Sequence, residues 1–276
     1  MDHFSVDAYA PKEIAARIED AGVSKSTTDP LRVFALAILA GVFIALGSTF
    51  FTVVTYDSSL INAGVLRLIG GLVFCLGLVL VVVAGAELFT GNNLIVMAYV
   101  EKKVTLEQLL ANWGIVFIGN FIGALGIMLL IYLSGHWNID GGAVGAKAIA
   151  IANAKVNLTW MEAFSRGMLC NILVCLAIWL CFAGRTVVDK VLAILFPITA
   201  FVALGFEHSV ANMYFIPAGL LLQQQPEFVQ LVPSLNLDNL TTTNFLLNNL
   251  LPVTLGNLVG GSVFVGLFYW FIYLRD

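Results

Sequence analysis

Charged residues are scarce in this sequence. Asp, Glu, Lys and Arg make up only 11% of its 276 residues, whereas a typical soluble domain carries about 25%. Hydrophobic residues make up 60%, and the mean hydropathy is +0.95. This composition excludes an ordinary soluble domain. It predicts a membrane protein that crosses the bilayer several times, because six or seven spans of about 20 residues fit in the chain.

Histidine and cysteine are also rare, with three and four residues respectively. The cysteines lie in apolar runs without metal-ligand spacing, as small core residues do; they are Cys75, Cys170, Cys175 and Cys181. His208 is the only histidine inside an apolar segment, so one chain cannot supply two histidine ligands to a haem. We expect the chain to bind no metal, no cofactor and no nucleic acid, and to have no enzymatic activity. A haem- or quinone-binding enzyme subunit is the alternative of another class.

Six apolar segments predict six transmembrane helices in an all-α fold. They are residues 31–56, 65–100, 107–134, 159–183, 188–222 and 245–274. Most Lys and Arg residues lie in the N-terminal tail, the 2–3 loop, the 4–5 loop and the C-terminus, so both termini are predicted to be cytoplasmic. Residues 7–22 are predicted to form a short amphipathic helix, with Pro11 near its start and Gly22 at its end.

Spans 2 and 5 are much longer than the about 20 residues that cross a bilayer. Each carries polar residues at mid-length, directly after a glycine, in Gly85–Asn92 and Gly205–Asn212. A helix that is broken at mid-membrane explains both observations. Such breaks occur where the exposed backbone is buried in protein or lines a wet cavity.

The two breaks share the pattern G-x-E-x-x-x-x-N, and spans 3 and 6 share G-N-x-x-G at 119–123 and 256–260. The chain therefore contains two copies of a three-span unit. Because three is odd, the second copy must enter the membrane from the opposite side, as an inverted 3+3 repeat. We treat 1–276 as one transmembrane channel domain, with a cytoplasmic tail at 1–29 and repeats at 30–134 and 135–276.

Ionisable residues at the breaks are candidates for the functional site, because charge is costly inside a membrane. His208 can gain or lose a proton near neutral pH, and Thr90 from the matched break is its predicted hydrogen-bond partner. Glu87 and Glu207 are predicted to brace the breaks, and Asn171 and Asn257 could offer polar groups to the path. Apolar residues around the breaks could form constrictions; they are Phe74, Leu78, Leu88, Phe89 and Phe201.

Several stretches resemble the formate/nitrite transporter family: GAELFTGN in span 2, GFEHSVANM in span 5 and PVTLGNLVGG in span 6. AGVSKST in the tail and YWFIYLR at the end extend the likeness over nearly the whole chain. The sequence is more similar to the formate branch than to the nitrite or hydrosulfide branches. The resemblance implies an aquaporin-like protomer and a homopentamer in the lipid membrane, with one substrate path per protomer.

The resemblance also implies roles for individual residues. His208 and Thr90 would form the centre of the path, with polar contacts from Asn171 and Asn257. Leu78, Leu88 and Phe89 would narrow the path on one side of the centre, and Phe74 and Phe201 on the other. Lys25 and Lys155 match the family's two entrance lysines, and the charge distribution places Lys25 on the cytoplasmic side and Lys155 on the outer side.

The function implied is passive, bidirectional transport of formate and similar small monocarboxylates across the bacterial inner membrane. His208 would neutralise the anion, and protons would be coupled to transport at low pH. A nitrite or hydrosulfide channel of the same fold stays open as an alternative. A water or glycerol channel is disfavoured because the Asn-Pro-Ala motif of aquaporin half-helices is absent.

Overall fold

The computed structural model describes residues 8–57 and 61–275, and the regular elements in these ranges are helices. Their bounds are α1 Pro11–Thr27, α2 Pro30–Val54, α3 Ala63–Ala84, α4 Val96–Val100, α5 Leu106–Leu133, α6 Ala143–Val156, α7 Trp160–Ala183, α8 Val187–Ala203, α9 Ser209–Leu222, α10 Pro226–Val229 and α11 Asn244–Tyr273. Five of them, α2, α3, α5, α7 and α11, are long and apolar enough to cross a membrane. The prediction of an all-α membrane protein is confirmed.

Both overlong apolar segments are interrupted. The first consists of α3, a non-helical turn, a short 3₁₀ helix at Gly91–Ile95 and α4. The second consists of α8, a turn and α9. Of the helices that flank the two turns, only α3 is long enough to cross a bilayer alone. The helix ends at each turn leave backbone N–H and C=O groups that need partners outside the helix.

The long helices begin with side chains that satisfy their first N–H groups. Thr105 and Gln108 form a reciprocal capping box at the start of α5, and Thr159 and Glu162 form one at the start of α7. Such boxes satisfy two otherwise unpaired donors. Helix α2 instead begins with Pro30 after Asp29, whose carboxylate accepts from the Arg32 amide.

Helix α1 begins at Pro11, four residues after the predicted start, and it continues past Gly22 to Thr27. The predicted end at Gly22 is wrong, and residue 7, where the helix was predicted to begin, lies outside the described residues. Gly22 instead permits close packing, because an added Cβ would lie 3.3 Å from the Ala98 Cβ of α4. The apolar face of α1 packs against α7 and α11 through Ile14 and Ile18.

An ion pair also fixes α1. The Lys103 ammonium lies 2.9 Å from the Glu19 carboxylate, whose side chain is almost fully buried. Hydrogen bonding to this carboxylate raises the pKa of Lys103. The first helix is thus attached to the loop between α4 and α5 as well as to the helix bundle.

Helix α6 is not among the predicted elements, because its residues were read as a loop before span 4. A search for runs of about 20 apolar residues misses a helix of 14 residues. Ile149 and Ala152 are fully buried, and α6 packs on α9, where a Cβ on Gly219 would collide with the Ala152 side chain. Helices α1 and α6 correspond in one respect, since each carries a lysine in its last turn, Lys25 and Lys155.

Glycines allow α7 and α11 to approach closely. A Cβ on Gly260 would overlap the main-chain carbonyl of Met168, and a Cβ on Gly256 would overlap that of Phe164. The G-x-x-x-G pattern of α11 is therefore a packing motif, as small residues in membrane helices usually are.

Replacing Gly260 by valine is expected to destabilise the fold by about 3 kcal/mol or more, because a main-chain carbonyl cannot move out of the way as a side chain can. Gly114→Val is the matched control, since nothing lies within 4 Å of a Cβ at this helical position. Size-exclusion chromatography of the two variants after mild heating measures the difference. Equal recovery of both would contradict the packing assignment.

Candidate functional site

Each break begins with a glycine in the left-handed region of backbone space. Gly85 has φ 77° and Gly205 has φ 71°. Other residues rarely adopt this conformation because the Cβ collides with the backbone. The glycine turns the chain out of helix α3 or α8, and the glutamate two residues later points to a buried position.

Asparagine side chains hold the turned backbone. Asn120 of α5 donates to the main-chain oxygens of Ala37 and Glu87, at 2.7 and 2.9 Å, and accepts from the Phe89 amide at 2.9 Å. These bonds connect α2, the first break and α5. They supply the partners that the interrupted helix cannot provide.

Asn257 makes the same three bonds at the second break. It donates to the oxygens of Gly167 and Glu207, at 2.7 and 3.0 Å, and accepts from the Ser209 amide at 3.0 Å. The primary amide has two hydrogens and these are both used. Both amide hydrogens of Asn257 therefore bond the backbone at the second break, and a polar contact of Asn257 with the path stays a prediction.

The two glutamates also stabilise the breaks. Each carboxylate accepts hydrogen bonds from a lysine and an asparagine rather than from backbone amides. Glu87 accepts from the Lys25 ammonium at 2.8 Å and from the Asn92 amide at 2.6 Å. Lys25 also donates to the Asn92 Oδ1 atom at 2.9 Å. Because the carboxylate is nearly buried, this pairing removes the cost of an isolated charge.

The second break repeats this arrangement. Glu207 accepts from the Lys155 ammonium at 2.8 Å and from the Asn212 amide at 2.7 Å. Asn249 of α11 accepts from Asn212 at 2.7 Å and donates to the Lys155 main-chain oxygen at 2.9 Å. Asn112 makes the matching bonds to Asn92 and Lys25 in the first half of the chain.

His208 connects the two breaks. Its Nδ1 atom accepts a hydrogen bond from the Ala211 amide at 3.1 Å and so caps helix α9. A ring nitrogen that accepts cannot carry a hydrogen, so the hydrogen is on Nε2. The Nε2 atom lies 2.9 Å from the Thr90 hydroxyl of the first break. The imidazole is therefore neutral in this arrangement and donates towards Thr90.

Asn171 of α7 supports Thr90 from behind. Its amide donates to the main-chain oxygens of Thr90 and Asn257, at 3.2 and 2.7 Å, and to Asn93 at 2.7 Å. Its Oδ1 atom is buried without a partner in the described part of the chain. Asn171 thus bonds the backbone of Thr90, and its polar contact with the path stays a prediction.

Two cavities reach the breaks, one cavity at each break. The Lys25 cavity has a volume of about 670 Å³ and reaches Glu87, Leu88 and Asn92. The Lys155 cavity has a volume of about 250 Å³ and reaches Glu207 and His208. The His208–Thr90 hydrogen bond therefore connects the break that the Lys155 cavity reaches with the break that the Lys25 cavity reaches.

A family model described as formate/nitrite transporter matches residues 12–271. The chain belongs to this family. It is 44% identical to the formate channel FocA of Escherichia coli K12, over 98% of this chain and 96% of that protein. A solved structure of a pentameric formate channel with formate bound superposes with a TM-score of 0.83 at 42% identity, covering 89% of this chain and 98% of that one.

A second solved structure, of an ion channel of the formate/nitrite transporter family, has a TM-score of 0.80 at 29% identity. It covers 94% of this chain and 98% of that one. The family resemblance seen in the sequence is confirmed. Because these relatives are channels, the chain is not an enzyme, and the alternative of a haem- or quinone-binding enzyme subunit is wrong.

In this member of the family, the predicted constriction residues are divided between the two cavities and the core. Phe74 and Phe201 line the Lys155 cavity, and their ring centres lie 5.6 Å apart in an edge-to-face contact. The Phe201 ring also stacks on the His208 ring at 5.9 Å. Leu88 lines the Lys25 cavity. Leu78 is buried, and Phe89 packs edge-on against Phe117 of α5 at 5.1 Å.

Sequence reasoning missed several cations that line the cavities. Arg166 lines the Lys155 cavity, although it belongs to the apolar helix α7. Arg17, Arg185 and Lys190 line the Lys25 cavity. An arginine inside an apolar span is itself a signal of function, and this signal could have identified Arg166. The other three belong to the predicted tail and the predicted 4–5 loop, and cations in such segments are usually only solvated.

Proposed function

We propose that this chain is a passive, bidirectional channel for formate and similar small monocarboxylates in the bacterial inner membrane. The observation that carries the proposal is the His208–Thr90 contact between two cavities that each contain cations. The names of the relatives support formate as the substrate. The pentameric state of the similar structure supports a homopentamer with one path per protomer.

We also propose the six-span inverted 3+3 arrangement, with both breaks at mid-membrane and both termini in the cytoplasm. Support comes from the hydrogen bonds of the two halves, which correspond residue for residue around Asn120 and Asn257. In this orientation the Lys25 cavity opens to the cytoplasm and the Lys155 cavity to the outside. The surplus of basic residues near Lys25 supports the assignment.

The ion pairs change the role that the sequence suggested for the two lysines. Lys25 and Lys155 are neutralised by Glu87 and Glu207 at 2.8 Å, so each pair attracts a distant anion only weakly. At short range, a formate carboxylate can compete with the glutamate for the ammonium hydrogens. The lysines therefore act as local contacts within the cavities, and unpaired cations provide the longer-range attraction.

Beyond the cavity the anion must lose water, which is costly against apolar side chains such as Phe74 and Phe201. Desolvation also raises the proton affinity of a carboxylate. His208 offsets this cost with its Nε2–H donor, which can turn from the Thr90 hydroxyl to a carboxylate oxygen. Thr90, released by this turn, can donate its own hydroxyl hydrogen to the same anion.

Proton coupling needs one further step. To become an imidazolium, His208 must take up a proton at Nδ1 and lose its bond from the Ala211 amide. The imidazolium then transfers one proton to a formate oxygen, which gives neutral formic acid and a neutral imidazole. This route is favoured at low pH, whereas hydrogen bonding by neutral His208 serves anion passage near neutral pH.

Proteoliposomes that contain a pH-sensitive dye test the function. Formate, lactate, nitrite and hydrosulfide are compared at about pH 5.5 and about pH 7.5, on either side of the ordinary histidine range. We expect formate to move fastest and to carry protons inward at the lower pH. Faster movement of nitrite or hydrosulfide would overturn the choice of substrate and favour the alternative branch of the family.

Replacing Arg166 by glutamine is expected to slow formate entry from the Lys155 side several-fold at low ionic strength and less at high salt. Arg166 has only a loose ion pair, 3.9 Å from Glu162, and its side chain is 41% exposed. Arg67→Gln is the control, because Arg67 is an exposed cation outside the residues that line this cavity. Equal salt dependence in both variants would contradict a role in attracting the anion.

A further inference from the structure

The Lys25 cavity is lined by three cations that have no direct contact role in the transport mechanism proposed above. Arg17 comes from α1, Arg185 from the loop between α7 and α8, and Lys190 from α8. The ion pairs formed among the described residues include none of the three. Lys25, deeper in the same cavity, is neutralised by Glu87. The net positive charge among the residues that line this cavity therefore comes from Arg17, Arg185 and Lys190.

Two of these cations are held close together by one aromatic ring. The Arg17 guanidinium lies 3.8 Å from the centre of the Tyr9 ring, and that of Arg185 lies 5.2 Å from it. Arg185 also donates to the Ala8 main-chain oxygen at 3.0 Å, which fixes its position. The two guanidinium groups repel each other at such distances. An anion bound between them would offset this repulsion.

One hydrogen-bond donor of this cluster has no partner. The Nη1 atom of Arg17 is buried and makes no hydrogen bond to the described residues. A buried donor on a charged group is costly to leave unpaired. A ligand oxygen in the cavity would satisfy it, and guanidinium groups match carboxylate and phosphate oxygens with two parallel bonds.

We propose that Arg17, Arg185 and Lys190 form a binding site for a multivalent anion of metabolite size that carries phosphate or carboxylate groups. The cavity volume of about 670 Å³ lies within the range of small-molecule sites, about 300–1,000 Å³, and far exceeds what one formate needs. Leu88 of the first break lines the same cavity. A bound anion therefore closes this end of the path and regulates flux from the Lys25 side.

Isothermal titration of the purified full-length protein with pyrophosphate, at constant ionic strength, tests the site. We expect saturable binding to the wild type and at least about 100-fold weaker binding to the R17Q/R185Q double variant, as for the loss of two charged hydrogen-bond partners. Arg32→Gln is the control, since Arg32 is an exposed cation of α2 outside the residues that line this cavity, and it should bind like the wild type.

Two further variants keep the result interpretable if removal of Arg17 disturbs α1. Arg185→Gln changes an exposed loop residue and should still weaken binding. Arg17→Lys keeps the charge but loses the planar pair of donors, and it should also bind less tightly. A parallel titration with citrate distinguishes a carboxylate ligand from a phosphate ligand, since the tighter of the two identifies the class.

The proposal is overturned if the wild type shows no saturable binding of either anion. It is also overturned if the double variant and Arg32→Gln bind equally well, or if chloride at matched ionic strength gives the same heat. None of these measurements includes formate. Failure of the anion site is therefore distinguishable from failure of the proposed transport function.

Discussion

Replacement of His208 by phenylalanine is expected to abolish proton-coupled formate uptake. The variant loses the Nε2 donor that lies 2.9 Å from Thr90, and with it the imidazole that connects the two breaks. A hydrogen bond to a charged partner contributes about 1.5–3 kcal/mol, which corresponds to a roughly 10- to 150-fold lower rate if it acts in the rate-limiting step. Uptake by proteoliposomes, followed with an internal pH dye, measures both the rate and the coupled protons.

His208→Asn separates the roles of the residue in transport and in folding. Asparagine is a favourable helix N-cap, so it can replace the bond that Nδ1 accepts from the Ala211 amide. Its shorter side chain cannot hold a proton. We expect His208→Asn to keep the thermal stability of the wild type while proton-coupled uptake is lost. Uptake with normal proton stoichiometry in either variant would rule out the histidine mechanism.

Breaking the Lys155–Glu207 pair is expected to have the largest effect on stability among the ion pairs. The side chains are 15% and 5% exposed, so Lys155→Met leaves a nearly buried carboxylate without its cation. Removal of one partner of a buried pair costs about 3–5 kcal/mol. The thermal unfolding midpoint in detergent should fall markedly, and it should recover in the K155M/E207Q double variant, because the double variant leaves no unpaired charge.

The matching pair in the other half of the chain provides the control. Lys25 and Glu87 are 31% and 10% exposed, so water can solvate the remaining charge more easily. Lys25→Met should therefore lower the unfolding midpoint less than Lys155→Met does. If the double variant is no more stable than Lys155→Met alone, the pair is not the source of the effect.

The membrane class and the polar residues of the breaks could be predicted from the sequence for direct physical reasons. Long apolar segments need a bilayer, and polar residues within them need a function. Gly85, Gly205 and the glutamates that follow them repeat at the same spacing, so the sequence alone indicated where the two halves correspond. His208 and Thr90 stood out for the same reason, and the structure brings them into contact.

The roles of the asparagines could not be predicted. Asn171 and Asn257 were expected to offer polar groups to the path, whereas their amides bond the backbone of the breaks. An asparagine side chain can do either, and only the positions of neighbouring carbonyl oxygens decide between them. Helix α6 was missed because a short apolar helix and a loop of similar composition differ only in what they pack against.

The sequence by itself determined that the chain spans a membrane, that it contains a duplicated pair of breaks and that a single histidine lies at one of them. These properties depend on composition and spacing, which are local. The tertiary structure alone decided that each entrance lysine is neutralised by a glutamate. It also decided that Arg17, Arg185 and Lys190 line one cavity without an ion pair among the described residues, and that Arg166 lines the other with only a loose one. The partners come from helices distant in sequence, and the energy of a charge depends on what surrounds it in space.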